Sequence, residues 1–138
     1  KYHGSYEGGL FDHSLNVAVS LVTLSEANGL SWERESSPYI IGMLHDLCKI
    51  DQYLFDPIFK KYVWNKDAPR TGHGDKSVYY IEEHICSLTD EEKECIRWHM
   101  GAFDEKENWT KYSNAIHKFC NVLWTHHADM IAAHILEQ

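Results

Sequence analysis

Histidine is unusually frequent in this chain, with ten among 138 residues. It is the commonest metal ligand and the usual acid or base near neutral pH, so the positions must decide between these roles. The most informative position is the adjacent pair His45 and Asp46, which we expect at the end of an apolar helix. Adjacent helical side chains point about 100° apart, so both reach one site only if that site is large or binuclear. An isolated pair would more simply be polar surface at a helix end.

The pair is accompanied by four residues of metal-ligand type on or beside other predicted helices: His13, His73, His99 and Asp129. Asp129 lies within the apolar part of the last predicted helix. Helical folds build internal metal sites from side chains on facing helices. Four imidazoles and two carboxylates would suit two first-row ions about 3.5–4 Å apart, with open positions for water.

Three basic residues extend this set. Lys49 lies three positions after Asp46, on the same helical face, and Lys76 stands in the same relation to His73. We favour phosphate binding for Lys49 over a simple cation at a helix end. Phosphate binding and a solvated side chain both remain open for Lys76. Arg70 lies between them and is predicted to contact the substrate.

Charge and composition exclude several classes of protein. The formal net charge is −8, with 21 acidic and 13 basic residues, which argues against general nucleic-acid binding. A small phosphorylated ligand remains compatible, because metal ions supply positive charge locally. No stretch approaches the ~20 apolar residues of a membrane span. The four cysteines form no C-x-x-C pair, which favours free thiols in a reducing cytoplasm.

Periodicity predicts one all-helical domain over residues 1–138, with five main helices and no strands. The helices are predicted at about residues 12–27, 37–49, 75–87, 89–100 and 113–136, the last interrupted near Phe119 or Asn121. Thr89 and Glu92 form a capping box, and Ser37 is the expected N-cap before Pro38. Residues 50–74 are predicted to be a functional loop, and residues 102–111 a polar loop. The chain does not begin with methionine, as expected of a trimmed chain or part of a longer protein.

Aromatic residues and one further histidine have open roles. Trp64, Trp98 and Trp124 could stack on a nucleobase, although core packing is the simpler interpretation of each. His126 lies one helical turn before Asp129 and is predicted to orient a ligand.

The order of these motifs resembles the HD-domain phosphohydrolases over about residues 8–135. The motifs are G-G-L-x-x-H, H-D-x-x-K, G-H-G-D-K-S, a lone helical histidine, and A-D. His13, His45, Asp46 and Asp129 match the minimal metal set of that family, and the resemblance implies a helical bundle. His73 and His99 match the additional histidines of members that hold a second metal. The implied cofactors are two divalent ions of iron, manganese, nickel, cobalt or zinc, with magnesium as an alternative.

The activity implied by the resemblance is hydrolysis of a phosphate ester or anhydride by a metal-activated water, with a nucleotide as the expected substrate. Asp46 would bridge the ions and Lys49 would act in catalysis, while Lys49, Arg70 and Lys76 would bind substrate. Two other hypotheses remain open. One is a mixed-valent di-iron oxygenase acting on a small phosphonate or polyol, which would share the ligand set. The other is a sensor or scaffold that binds a nucleotide without turnover.

Overall fold

The computed structural model describes residues 6–69, 72–102 and 106–138, and in these the chain is mostly helical, as predicted. The α-helices are α1 Gly9–Asn28, α2 Ser37–Leu44, α3 His73–His84, α4 Asp90–Arg97, α5 Lys106–Lys118 and α6 Asn121–Ile131. A 3-10 turn covers Leu47–Asp51 and a π-helical turn covers Ala132–Leu136. Two short strands are β1 Tyr53–Asp56 and β2 Lys61–Trp64. Among the described helices, none combines the length and apolarity needed to cross a membrane.

Local capping explains where several helices begin and end. The predicted capping box is confirmed: Thr89 Oγ1 accepts from Glu92 N at 3.1 Å, and Glu92 Oε2 accepts from Thr89 N at 2.9 Å. The predicted N-cap of α2 is wrong by one residue, because Ser36 holds that position. Ser37 is instead the first helical residue and donates its hydroxyl to Glu92 Oε1 at 2.7 Å. A tertiary contact therefore replaces the expected cap.

All six helices contribute to the hydrophobic core, although Ala115 is the only buried residue that α5 adds. Fully buried apolar side chains come from α1, α2, α3, α4 and α6, and they include Val17, Leu21, Ile41, Ile81, Ile96 and Val122. Helices α1 and α2 cross very closely, since a Cβ on Gly42 would lie 2.3 Å from Ala18 Cα. Glycine at position 42 thus permits the crossing that brings the start of α1 towards the end of α2.

The prediction that residues 50–74 lack regular structure is wrong. Strands β1 and β2 form an antiparallel hairpin in which Tyr53 pairs with Trp64 and Phe55 with Tyr62. The paired rings lie 5.5 and 5.4 Å apart, a type of cross-strand contact that stabilises hairpins. All four of these aromatic side chains are half exposed, so the hairpin lies outside the helical core. Because this segment has no face packed in the core, its sequence shows no periodic apolar pattern.

The predicted loop over residues 102–111 is wrong from Lys106 onward, where α5 begins, and residues 103–105 lie outside the described residues. Ala115 is the only buried residue of α5, which explains why its apolar periodicity was too weak to indicate a helix. The predicted interruption near Phe119 or Asn121 is confirmed, because α5 ends at Lys118 and α6 begins at Asn121. The described chain therefore has six α-helices where five were expected.

Candidate metal centre

His45 and Asp46 lie where α2 ends. Because Asp46 is no longer helical, the two adjacent side chains can face the same site. The helix was predicted to continue to about Lys49, which is wrong: it ends at Leu44. Asp46 leaves helical geometry with φ −101° and ψ 17°, and the 3-10 turn follows. Both side chains consequently turn towards one interior point, with His45 Nε2 3.6 Å from Asp46 Oδ2.

Four potential ligand atoms from three parts of the chain converge at that point. His13 Nε2 lies 3.3 Å from His45 Nε2 and 3.6 Å from Asp46 Oδ2. Asp129 Oδ1, from α6, lies 3.0 Å from His13 Nε2 and 3.6 Å from His45 Nε2. For metal–nitrogen distances of about 2.1 Å, neighbouring ligands are separated by about 3.0 Å in octahedral and about 3.4 Å in tetrahedral geometry. The cluster agrees with this range to within about 0.2 Å, and His13, His45 and Asp46 could together hold a metal ion.

In each imidazole ring of the site, Nδ1 points away from the candidate metal position and makes a hydrogen bond that fixes the orientation of the ring. His45 Nδ1 lies 2.8 Å from Gly42 O, and His99 Nδ1 lies 2.7 Å from Ile96 O. Because a carbonyl oxygen only accepts, Nδ1 carries a proton in both rings, and in a neutral ring Nε2 then bears the lone pair. His13 Nδ1 lies 2.8 Å from Glu137 Oε1, where an ionised carboxylate has the same effect. Metal-binding histidines almost always show this arrangement.

The buried carboxylates present oxygens that no hydrogen bond satisfies. Asp46 Oδ1 and Asp129 Oδ1 are buried and accept no hydrogen bond in the described part of the chain. The nearest imidazole nitrogens are His99 Nε2 at 3.3 Å from Asp46 Oδ1 and His13 Nε2 at 3.0 Å from Asp129 Oδ1, and both bear lone pairs when the rings are neutral. The carboxylates raise the pKa of both rings and so favour a positive charge at these positions. Lone pairs that face one another in a buried space are costly unless a cation lies between them. The donor set therefore fits a metal ion.

Electrostatics keep the two aspartates ionised. Burial raises the pKa of Asp46, but the contact with His99 and the charges of His45, His99 and Lys49 outweigh burial and hold this pKa well below its usual range. Burial likewise raises the pKa of Asp129, and contacts with His13 and His45 bring it below its usual value. Two anionic carboxylates inside the bundle favour positive charge beside them.

Asp46 has the disposition expected of a bridging ligand. Its Oδ2 faces His13 and His45, while its Oδ1 faces His99, whose ring centroid lies 4.8 Å from that of His45. His73 is the exposed first residue of α3, and its Nδ1 lies 3.5 Å from Cys48 Sγ. No ion pair or hydrogen bond in the described ranges joins His73 to the other candidate ligands. The structure thus brings five of the six predicted ligands together and leaves His73 at the edge.

The predicted phosphate-binding residues have different surroundings. Lys49 Nζ lies 2.6 Å from Asp46 Oδ2, with a quarter of its side chain exposed, so it is part of the site. Lys76 is buried, and its Nζ binds Asp51 Oδ1 at 2.6 Å, while Tyr80 donates its hydroxyl to the other oxygen of Asp51. Lys76 thereby ties α3 to the 3-10 turn, and its contact with substrate stays a prediction. Arg70 lies outside the described residues.

Two glycines allow close contacts around the centre. A Cβ on Gly74, the residue after His73, would lie 2.2 Å from the carbonyl oxygen of Arg97, so the start of α3 touches the end of α4. Gly101 has φ +75°, and a Cβ there would lie 2.3 Å from the His126 ring. His126 thus packs under the turn that follows His99. Its predicted role in orienting a ligand stays a prediction.

Two cavities flank the centre. One, of about 350 Å³, is bordered by Asp46 and by apolar side chains of α1 and of the α2 end, including Leu10, Phe11 and Met43. The other, of about 150 Å³, lies between the hairpin and α3 and includes Trp64 and His73. Trp98 and Trp124 instead pack against the hydrophobic core, as the simpler interpretation predicted.

Sequence reasoning missed Glu137, which contacts the His13 ring across 124 positions of the chain. No motif includes it, and an acidic residue near the end of a helical segment carries no signal by itself. Comparison with family models, with curated proteins and with solved structures found no match. The geometry of the centre and the order of the motifs are therefore the features that bear on function.

Proposed function

We propose that the protein is a metal-dependent phosphohydrolase of the HD-domain kind, which cleaves a phosphate ester or anhydride with an activated water. The observation that carries this proposal is the buried convergence of His13, His45, Asp46 and Asp129. Within the described residues, Asp129 Oδ1 in this cluster and Asp46 Oδ1 beside His99 accept no hydrogen bond. The order of the motifs supports the same function. A nucleotide is the substrate class implied by the resemblance.

The candidate ligands would form two ion-binding positions, one at each oxygen of Asp46. His13, His45, Asp129 and Asp46 Oδ2 would hold one ion, and Asp46 Oδ1 with His99 would hold a second, towards which His73 could turn from the edge of the site. Such ions bind phosphoryl oxygens and lower the pKa of a bound water towards neutrality.

Lys49 supplies the nearest positive charge from the protein itself. Its ammonium group lies 2.6 Å from Asp46 Oδ2 and is partly exposed, so it can also reach a phosphoryl oxygen bound at the centre. A fixed ammonium charge beside that oxygen would stabilise negative charge that develops during hydrolysis. In a chain of net charge −8, such local positive charge is needed to hold an anionic substrate.

The cavity beside Asp46 is the natural space for the rest of the substrate. Its volume of about 350 Å³ lies within the usual range for small-molecule pockets, about 300–1,000 Å³. Its lining is mostly apolar, from Leu10, Phe11, Met43 and Leu47, which suits a nucleobase or another flat apolar group. The phosphate would then face Asp46 and the ions.

The test is a phosphate-release assay on metal-stripped protein. Manganese, cobalt, nickel, iron, zinc or magnesium is added separately, with a panel of nucleotides and bis(p-nitrophenyl) phosphate as substrates. We expect hydrolysis with at least one ion, its loss on chelation, and its return when the ion is restored. Oxygen uptake with a phosphonate or polyol, and no phosphate release, would overturn the proposal in favour of an oxygenase. Nucleotide binding without turnover would overturn it in favour of a sensor.

A further inference from the structure

Glu137 contacts the candidate ligand His13 from the opposite end of the chain. Its Oε1 lies 2.8 Å from His13 Nδ1, and Asn16 Nδ2, one turn further along α1, donates to the same oxygen at 3.3 Å. The Glu137 side chain is 15% exposed and that of His13 1%. A carboxylate so placed accepts the Nδ1 proton and leaves Nε2 facing the cluster.

The π-helical turn explains how Glu137 reaches this position. Asp129 belongs to α6, and in an uninterrupted α-helix the residue seven positions later, Leu136, would share its face, because seven steps of about 100° fall about 20° short of two turns. A π-helical turn closes its hydrogen bond one residue later than an α-helical turn. The turn at Ala132–Leu136 therefore shifts Glu137 onto that face, and Leu136 is half exposed.

We propose that Glu137 is a positioning residue for the metal centre, acting through His13. The proposal rests on the metal centre of the proposed function. By accepting the Nδ1 proton, Glu137 holds the His13 ring in one tautomer and one orientation and makes Nε2 a stronger ligand. The C-terminal segment thus contributes twice, with Asp129 as a candidate ligand and Glu137 as the group that orients another.

His13 differs in this respect from the other two buried rings. His45 and His99 donate to the backbone carbonyls of Gly42 and Ile96, which no side-chain substitution removes. Among the described candidate ligands, His13 is the one whose ring donates to a carboxylate. A charged acceptor makes the stronger hydrogen bond, and it can be changed without altering any candidate ligand.

The experiment measures metal affinity in the full chain. Metal-stripped wild type, Glu137→Gln and Glu137→Ala are titrated with Co²⁺ and Mn²⁺ by calorimetry, and the d–d absorption of bound Co²⁺ is recorded. We expect about 10-fold weaker binding for Glu137→Gln, which keeps an acceptor but loses the charge, and about 100-fold for Glu137→Ala. The Co²⁺ spectrum should also change. Glu26→Gln, an equal loss of charge at the far, exposed end of α1, should bind like wild type.

The unfolding midpoint of the metal-free proteins separates positioning from a structural role. We expect Glu137→Gln to unfold within about 2 °C of wild type, since glutamine keeps the size of the side chain and an oxygen that accepts from His13 and Asn16. Equal metal affinity and an unchanged Co²⁺ spectrum in Glu137→Gln would overturn the inference, as would weaker binding accompanied by a large loss of stability. If Glu137→Ala fails to fold, Glu137→Gln decides alone. A wild type that binds neither ion would instead contradict the metal centre, and so the proposed function.

Discussion

Two buried carboxylates in this protein have opposite surroundings. Glu92 is fully buried, and its oxygens accept hydrogen bonds from Thr89 N, from Ser37 Oγ and from both Nε and Nη2 of Arg34, at 2.7–2.9 Å. Asp46 is almost as buried, at 2% exposed, and its Oδ2 accepts from Lys49, yet its Oδ1 accepts no hydrogen bond from the described residues and faces His99 Nε2 at 3.3 Å. Both oxygens of Glu92 therefore have hydrogen-bond donors within the fold, whereas only one oxygen of Asp46 has one.

The difference separates a structural group from a functional one. Buried polar atoms in folded proteins are nearly always hydrogen-bonded, so each exception needs a physical reason. Glu92 is no such exception: it links α4 to the first residue of α2 through Ser37 and to the segment before α2 through Arg34. For Asp46, the metal ion that we propose beside Oδ1 would supply that reason. Substitution of each carboxylate should therefore affect a different property.

The largest effect is expected from Asp46→Ala. Because Asp46 faces both candidate ion positions, we expect undetectable hydrolysis and more than about 100-fold weaker metal binding, beyond the usual loss for residues that only support a ligand. The metal-free variant should still fold, because the helices pack through their own apolar faces, but it should be less stable than wild type at neutral pH, since the contacts of ionised Asp46 with His99 and Lys49 are lost. Metal analysis, phosphate release and thermal unfolding check this, with the exposed Asp67→Ala as control. Retained turnover in a metal-free preparation would contradict the role of Asp46.

The next effect is expected from Glu92→Ala, and it concerns stability. Loss of this carboxylate leaves the Thr89 amide, the Ser37 hydroxyl and Arg34 without their acceptor, which should cost about 2–4 kcal/mol of unfolding free energy. The Arg34 side chain is 40% exposed and can turn to water, so we do not expect more. Urea unfolding measures the loss, and metal affinity should be unchanged in the folded protein. The matched control is Glu82→Ala, which removes an exposed partner of Lys93 and should cost less than about 0.5 kcal/mol. A loss of unfolding free energy as small as that of Glu82→Ala would contradict the stabilising role of Glu92.

The smallest effect is expected in how the stabilisation by Glu92 depends on pH. Burial raises the pKa of Glu92, but the hydrogen bonds from Arg34, Thr89 and Ser37 outweigh burial and lower it below the ordinary value of 4.5. A carboxyl whose pKa is lower in the folded state stabilises the fold above its unfolded pKa, and this stabilisation is lost as the pH falls through the folded pKa. The difference in unfolding free energy between wild type and Glu92→Gln should therefore be constant near pH 6–7 and shrink below about pH 4.5. A difference that does not change with pH would contradict this account.

The predictions that succeeded from sequence concern interactions within a few residues. The Thr89 and Glu92 capping box was predicted because both partners lie within one turn, and it is present. The interruption between α5 and α6 was predicted at the correct place. The contacts of Glu92 with Arg34 and Ser37 were not predicted, since they join positions more than 50 residues apart. The hairpin and the start of α5 were missed because both are largely exposed and have no periodic apolar face.

The features of the candidate site also separate into those that follow from the sequence and those that depend on the tertiary structure. The types and order of the six candidate ligands are properties of the sequence, as are the all-helical class and the capping box of Thr89 and Glu92. The tertiary structure decided that five of these residues meet and that Lys76 binds Asp51. It also ended α2 before His45, so that two adjacent side chains turn inward, and it brought Glu137 to His13. The physical reason is distance along the chain: hydrogen bonds within a turn follow from local residue types, whereas a contact across 124 positions depends on how the helices pack and on one additional residue in a π-helical turn.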